Sequence, residues 1–298
     1  MIGNTAALGA ALCWAIGGLI AVTPVNRLGP VGFNRIRMPL AFVMLSVMAF
    51  YTGGWTSVDS SFIWYIFFSS IIGIFIGDNA LFYTMNKMGP RRTGVLFATS
   101  APMTAIISFI IFGEKLSFPQ IGGCTIVLFG VFLAIVFGTT ANQHHKWEVI
   151  KGSAILGGLT GLLSALCQAL AAIIIKPVME SGADPISVSA IRVGISSIVV
   201  IIYSSMKNNH SASHEHSRPT IGLIGWIACC SFVGMALGMT LLLFGLSKGE
   251  AGIITTLAAT TPVMMLPMIW LKTGERPALG SWMGAILTVV GSGILFNF

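Results

Sequence analysis

Two stretches decide how the chain folds: ALCWAIGGLIAVTPV at 11–25 and ALCQALAAIIIKPV at 165–178. They match each other, with Cys13 opposite Cys167 and Trp14 opposite Gln168. Outward from them the correspondence continues in the same order. RIRMPLAF from Arg35 answers AIRVGISS from Ala190, which pairs Arg37 with Arg192. Gly73 and Gly77 answer Gly234 and Gly238, and FATSAP ending at Pro102 answers LAATTP ending at Pro262. FGEKLS at 112–117 answers TGERPA at 273–278, so Glu114 answers Glu275. Spaced matches in constant order mark an internal duplication.

The 298-residue chain is 55% hydrophobic and 8% charged, whereas a soluble domain carries roughly 25% charge. That is too little to coat a water-facing surface, and the mean hydropathy of +0.90 agrees. Soluble enzymes, nucleic-acid binders and disordered hubs are thereby excluded. The net charge of +7 is spread among loops rather than massed in a patch, which bears on membrane topology and not on a polyanionic partner.

A membrane span takes about 20 apolar residues. Charged and Gly/Pro breaks divide the chain into ten such stretches, near 3–23, 31–50, 61–85, 92–112, 118–138, 152–176, 185–206, 220–246, 251–271 and 278–298. The connections leave no room for a soluble domain, and the first stretch reads as a span rather than a cleaved signal. The linker at 139–151 separates a first five-helix repeat, 1–138, from a second, 152–298. Because five is odd, the second copy enters the membrane from the opposite side. The expected fold is an all-α polytopic membrane protein, with ten transmembrane helices in two inverted five-helix repeats around a central cavity. That plan suits alternating access.

Ionisable groups inside a span are expensive, so each is a functional candidate by default. Asp78 is the sharpest. It is either a site of reversible protonation, where a proton competes with a substrate's ammonium group, or an aspartate held by Arg37 or a backbone donor. Asn79 beside it orients substrate or bonds between helices. Arginine stays charged, so Arg37 and Arg192 at matching positions either serve structure in both halves or bind a substrate carboxylate, while Arg35 reaches the headgroups. Trp14, Tyr83, Ser100, Gln168, Thr240 and Thr261 offer an aromatic face and hydrogen bonds at cavity depth, with core packing as the alternative for Trp14. Pro102 and Pro262 are expected to kink their helices. The glycine pairs Gly73/Gly77, Gly157/Gly161, Gly234/Gly238 and Gly280/Gly284 allow close helix approach. Glu114 and Glu275, at helix ends, read as turn or gate contacts.

All five histidines lie in two polar linkers, His144 and His145 in 139–151 and His210, His214 and His216 in 207–219. A flexible loop rarely fixes coordination geometry, so neither a metal site nor any other cofactor is expected. Cys13, Cys124, Cys167, Cys229 and Cys230 fall inside predicted helices and act as small apolar residues without a disulfide framework. No Walker A pattern is present, and without paired acids, HExxH or an intramembrane His the chain does not read as an enzyme.

The duplicated five-helix unit, Trp14 in the first span and an Arg early in the second span of each half carry a resemblance. So do the endings GEKLSFPQIGG at 113–123 and GERPALGSWMG at 274–284. Over nearly all of 3–298 the chain resembles the drug/metabolite transporter superfamily, specifically its ten-helix EamA-type members. The resemblance implies a cavity lined largely by the first, third, fourth, sixth, eighth and ninth helices, and secondary transport, often export of amino acids and related metabolites. Strict symmetry fails at Asp78, answered by Met239, and at Trp14, answered by Gln168.

The expected function is therefore secondary active export of small metabolites such as amino acids, aromatic ones among them. The setting is a lipid bilayer, a prokaryotic plasma membrane, with the chain as monomer or homodimer. A nucleotide-sugar or phosphorylated-metabolite carrier is the alternative, with Arg37 and Arg192 holding phosphate. A divalent-metal transporter is disfavoured because the spans offer one Asp, no His and scattered Cys. One set of alternate loops carries Arg27, Lys87, Arg91, Arg92, Lys146, Lys151, Lys207, Arg218, Lys272 and Arg276, against Lys115, Lys176 and Lys248 on the other. The positive-inside rule then puts both termini outside, whereas the resemblance implies cytoplasmic termini.

Overall fold

The computed structural model describes residues 1–136, 153–208, 220–273 and 278–297, and among these every regular element is helical. The first, α1, runs Ile2–Thr52 but bends at Gly29, where φ is 72° and ψ 168°. A straight helix of that length would run about 75 Å, more than twice the thickness of a hydrocarbon core. Leu28-Gly29-Pro30 supplies the break. Glycine takes this positive φ without strain, and Pro30 opens the second arm, where its missing N–H costs no bond. The charged and Pro-containing stretch 24–30 reads in the sequence as a loop. In the structure Pro24 stays inside the first arm and the connection shrinks to Gly29.

After a 3₁₀ turn at Gly54–Ser57, α2 spans Ser60–Met88. Asp59 caps its start by accepting from the Ser61 N–H at 2.8 Å, and that bond holds its carboxyl below the usual carboxylate range. Within α2, Ser70–Asp78 is π-helical. Next, α3 consists of Pro90–Ala98 and Ser100–Phe112, joined through Thr99. Then come α4 (Phe118–Val136), α5 (Ala154–Glu180) and α6 (Pro185–Asn208). Ile221–Leu246 is α7, again with a π-helical stretch, Ser231–Leu237. Two segments, Ala251–Ala258 and Thr261–Thr273, make α8, and Leu279–Asn297 is α9. The expected kinks at Pro102 and Pro262 are breaks that fall before each proline, at Thr99 and at Ala259–Thr260. Each proline thus sits in the first turn of the following segment, where a helix tolerates it.

Polar side chains set the starts of several helices. Ser153 accepts from the Leu156 N–H at 3.3 Å and Thr220 from the Leu223 N–H at 3.4 Å. At α4 the cap is reciprocal, with the Ser117 N–H donating to Gln120 Oε1 at 2.7 Å and the Gln120 N–H to Ser117 Oγ at 3.4 Å. Such caps satisfy backbone donors that the helix leaves free.

Among the described residues, seven helices are long and apolar enough to cross a membrane, the bent α1 counted once, and Phe118–Leu133 and Leu279–Leu295 are shorter apolar helices. Large apolar side chains stand on the outer surface, including Phe50 (76% exposed), Ile110 (72%) and Leu271 (86%). Water would penalise that surface and lipid does not. The chain is an integral membrane protein, all-helical among the described residues.

Contacts at the centre occur in matched pairs. Gly234 in α7 lies against Gly17 in α1, where an added Cβ at Gly17 would come 2.9 Å from the Gly234 Cα. Gly73 in α2 lies closer still against Ala171 in α5, where an added Cβ at Gly73 would come 2.4 Å from the Ala171 Cβ. The Ser231 hydroxyl donates to the Arg37 carbonyl at 3.1 Å, and the Ser70 hydroxyl donates to the Arg192 carbonyl at 2.5 Å. Cys230 Sγ reaches the Gly17 carbonyl at 3.3 Å, and Ser69 Oγ the Ala171 carbonyl at 2.9 Å. Each serine or cysteine stands at the start of a π-helical stretch. There the carbonyls of the neighbouring helix, already bonded along their own axis, accept a second donor. To one side α4 and α9 pack through glycines, with a Cβ at Gly130 falling 2.7 Å from the Gly284 carbonyl and one at Gly291 falling 2.8 Å from the Val127 nitrogen.

Candidate functional site

Between these crossings lies a cavity of about 170 Å³. The first arm of α1 gives it Trp14, Gly17 and Gly18, and the second arm gives Arg37. From α2 come Gly73, Ile74, Asp78 and Phe82, and from α3 Thr93 and Phe97. Gln168 and Ile175 of α5, Arg192 of α6, Met235 and Met239 of α7 and Thr261, Pro262 and Met265 of α8 complete the wall. All the helices that the resemblance puts around the cavity line it. The second arm of α1 and α6 join them through their arginines.

Arg37 is fixed from several directions. Its backbone is held by Ser231, one Nη pairs with the Asp78 carboxylate, and its guanidinium lies over Phe82 and Phe33, 4.7 and 5.5 Å from the ring centroids. Of the two readings of Asp78, the ion pair with Arg37 is the arrangement seen. Arg192 is 3% exposed and differently served. Its Nη1 reaches Met239 Sδ at 3.2 Å and its Nη2 the Ser69 carbonyl at 3.4 Å, while its Nε has no partner. Met239 is the residue that answers Asp78 in the duplication. The two arginines correspond: each reaches a methionine sulfur, Arg37 that of Met235 at 3.6 Å, and each has an Nε without a partner, but only Arg37 meets a carboxylate.

Six residues expected at the site line the cavity together: Trp14, Arg37, Asp78, Gln168, Arg192 and Thr261. Trp14 meets Phe97 edge to face at 6.5 Å, and Thr261 returns its hydroxyl to the Ala258 carbonyl at 2.8 Å. Four lie outside the wall. Asn79 is committed between helices, donating to the Phe75 carbonyl at 2.6 Å and accepting from Asn34 Nδ2 at 3.1 Å. Tyr83 lies beneath Lys87 Nζ, 5.7 Å from its ring centroid. Ser100 is buried in α3, its carbonyl accepting from Thr104 Oγ1 at 2.8 Å. Thr240 has a buried hydroxyl without a partner.

A second ionic cluster lies where α3 ends and α8 begins. Glu114, just past α3, pairs with Lys176 in the last turns of α5. It also accepts from the Ser108 hydroxyl and, at 3.2 Å, from the Ala251 N–H that starts α8. Lys176 lies 3.5 Å from Glu180 as well. Ile175, beside it in sequence, is fully buried in the cavity wall, as is Leu246. Glu114 therefore acts as a contact between helices, as its place at a helix end implies, but in a buried setting. Glu275 lies outside the described residues, as do His144, His145, His210, His214 and His216. Among the described residues no three His, Cys, Asp or Glu converge as a metal site, and all five cysteines are free thiols.

The sequence reading missed Lys176, Phe97 and the methionines Met235, Met239 and Met265. Glu180 four residues after Lys176 marks a helical ion pair, but nothing local links Lys176 to Glu114, and a methionine in a span looks like filler.

Comparison with known proteins gives a consistent picture. The model of the EamA-like transporter family matches residues 1–136 and again 155–297. The uncharacterized transporter YyaM of Bacillus subtilis (strain 168) is 28% identical over 223 residues, covering 74% of this chain and 69% of YyaM. The uncharacterized transporter YetK of the same organism is 20% identical over 231 residues, 77% of this chain and 67% of its own. One solved crystal structure superposes with a TM-score of 0.77, over 98% of this chain and 95% of that one, at 14% identity. It bears on the fold alone.

Proposed function

The chain belongs to the EamA-like transporter family, and from that premise we propose that it is a secondary exporter of small amphipathic metabolites, amino acids and related carboxylates among them. In this reading ten spans, the arms of α1 counted separately, form two five-helix repeats inserted in opposite senses in a bacterial plasma membrane. The repeats exchange conformations around the central cavity. The observation that carries the proposal is the pair of corresponding arginines, Arg37 and Arg192, facing one cavity from opposite halves. Buried charge at a seam between repeats is costly and marks a solute path.

Trp14, Arg37, Asp78, Gln168, Arg192 and Thr261 form the proposed binding wall. Asn79, Tyr83, Ser100 and Thr240 are left out of it, since they lie outside the cavity wall. Gln168 has no hydrogen-bond partner among the described residues and faces the cavity, so its amide is available to a substrate. The Glu114–Lys176 pair is the proposed gate at its end of the bundle. It ties α3 of the first repeat to α5 and α8 of the second, so that end opens only if the pair parts.

Asp78 is the proposed coupling site. A proton taken up there would release Arg37, repositioning a cation in the cavity, and transport would then depend on a proton gradient. In proteoliposomes, flux of amino acids and related carboxylates is expected to rise with an imposed pH difference. Asp78→Asn is expected to abolish that dependence while leaving exchange at equal pH. Gradient-driven flux that survives in the variant would remove Asp78 from the coupling.

A further inference from the structure

Arg192 has more donors than the protein uses. A guanidinium offers five N–H donors and stays protonated. Here one goes to a thioether, a weak acceptor, one to a carbonyl at 3.4 Å, and the Nε has none. The side chain is nonetheless buried, in the wall of the cavity. Among the described residues no carboxylate lies within ion-pairing distance of it: the one acid in the wall, Asp78, pairs directly with Arg37 and acts on Arg192 only from farther off. A buried cation whose one acidic neighbour is paired elsewhere is poorly compensated. The charged residues of the wall are two arginines and one aspartate, which leaves one positive charge uncompensated.

We propose that the substrate carries a carboxylate that docks on Arg192, and that it enters as a monoanion with an apolar body. The inference rests on the transport reading above. The charge of the wall selects among ligand classes. A monoanion brings it to neutrality. A zwitterion leaves the excess charge in place and brings an ammonium for which the wall offers only the neutral Gln168 amide oxygen, Asp78 being engaged by Arg37. A phosphate dianion overshoots, with no further cation in the wall to receive it. A carboxylate also matches the planar fork of a guanidinium, accepting two parallel N–H bonds. Apart from the Gln168 amide and the Trp14 indole N–H, the wall beside Arg192, with Phe97, Met235 and Met265, offers mainly carbon and sulfur, and so fits a largely apolar remainder.

Four probes with the same ring and different charge test this: phenylpyruvate, phenylalanine, phenylethylamine and phenyl phosphate, titrated calorimetrically into the purified full-length protein in lipid nanodiscs. Phenylpyruvate is expected to bind tightest, and Arg192→Gln to weaken it by roughly thirtyfold or more. Without ligand, Arg192→Gln is expected to melt no lower than the wild type, because it removes an uncompensated charge rather than a structural bond. Arg192→Lys keeps the charge without the fork and is expected to weaken phenylpyruvate by roughly tenfold. It decides the matter should the glutamine variant fail to assemble. The inference is overturned if phenylalanine, phenylethylamine or phenyl phosphate binds as tightly, if no probe binds, or if either variant leaves phenylpyruvate affinity unchanged. The transport reading is judged separately in proteoliposomes. Flux of phenylalanine or phenylethylamine that Arg192→Gln does not impair would leave transport standing and sink only the anion.

Discussion

Lys176 is 4% exposed, and its charge is bearable there because Glu114 supplies the opposite one and Ser108 and the Ala251 N–H satisfy the remaining carboxylate lone pairs. Such pairs contribute little net stability, but removing one partner strands the other. Lys176→Met is therefore expected to destabilise the protein by about 3–5 kcal/mol. The double variant Lys176→Met/Glu114→Gln is expected to regain most of that loss. Unfolding of both variants and of Glu114→Gln in the same detergent completes a double-mutant cycle, and additive losses would mean the pair is not coupled. The contrast with Asp78 explains what the sequence discloses at this scale. An aspartate inside a span has few possible partners, and the duplication points to Arg37 as one of them. Glu114 and Lys176 sit at helix ends, where a solvated charge looks the same in sequence as a buried pair.

At the scale of elements, the duplication carries more information than hydropathy. Hydropathy locates the helices to within a few residues but puts a loop at 24–30, because a proline and an arginine look like a break. The structure makes the break at Gly29 alone. The two π-helical stretches, Ser70–Asp78 and Ser231–Leu237, leave no hydropathic trace. They follow from tertiary contact, since Ser70 and Ser231 bond across to the carbonyls of Arg192 and Arg37. The glycines beside them are legible, because a small residue at matching places in both halves predicts close approach. Gly17 tests how close. Its Cβ would meet the backbone of Gly234 at 2.9 Å, whereas one at Gly158 would meet nothing within 4 Å. Gly17→Ala is expected to cost about 1–3 kcal/mol through overpacking that a backbone cannot relieve. Gly158→Ala is expected to be neutral or to stabilise by up to about 1 kcal/mol through helix propensity. Equal unfolding midpoints for the two variants would contradict the close crossing of α1 and α7.

For the whole molecule, the two ends of the bundle differ in how they are held and charged. At one end the chain start packs on the close of α7, where a Cβ at Gly3 would lie 3.2 Å from the Gly245 carbonyl. The Glu114–Lys176 cluster and the bond from the Asp184 N–H to Ser57 Oγ at 2.8 Å lie at the same end. At the other end Asn86 Nδ2 donates to Asn26 Oδ1 at 3.1 Å, near Arg27, Lys87 and Arg92, and Met85 and Pro90 carry the cavity wall in that direction. Lysine and arginine near span ends resist translocation, whereas acidic residues contribute little to orientation. The basic end is therefore expected in the cytoplasm, with Met1 and the Glu114–Lys176 end outside. The prediction opposes the cytoplasmic termini implied by the family resemblance, so it discriminates. A single cysteine placed at Ile2 in a cysteine-free background is expected to react with a membrane-impermeant maleimide in intact cells. One replacing Lys87 is expected to react only after permeabilisation. The reverse pattern would turn the molecule over and put the Glu114–Lys176 end in the cytoplasm.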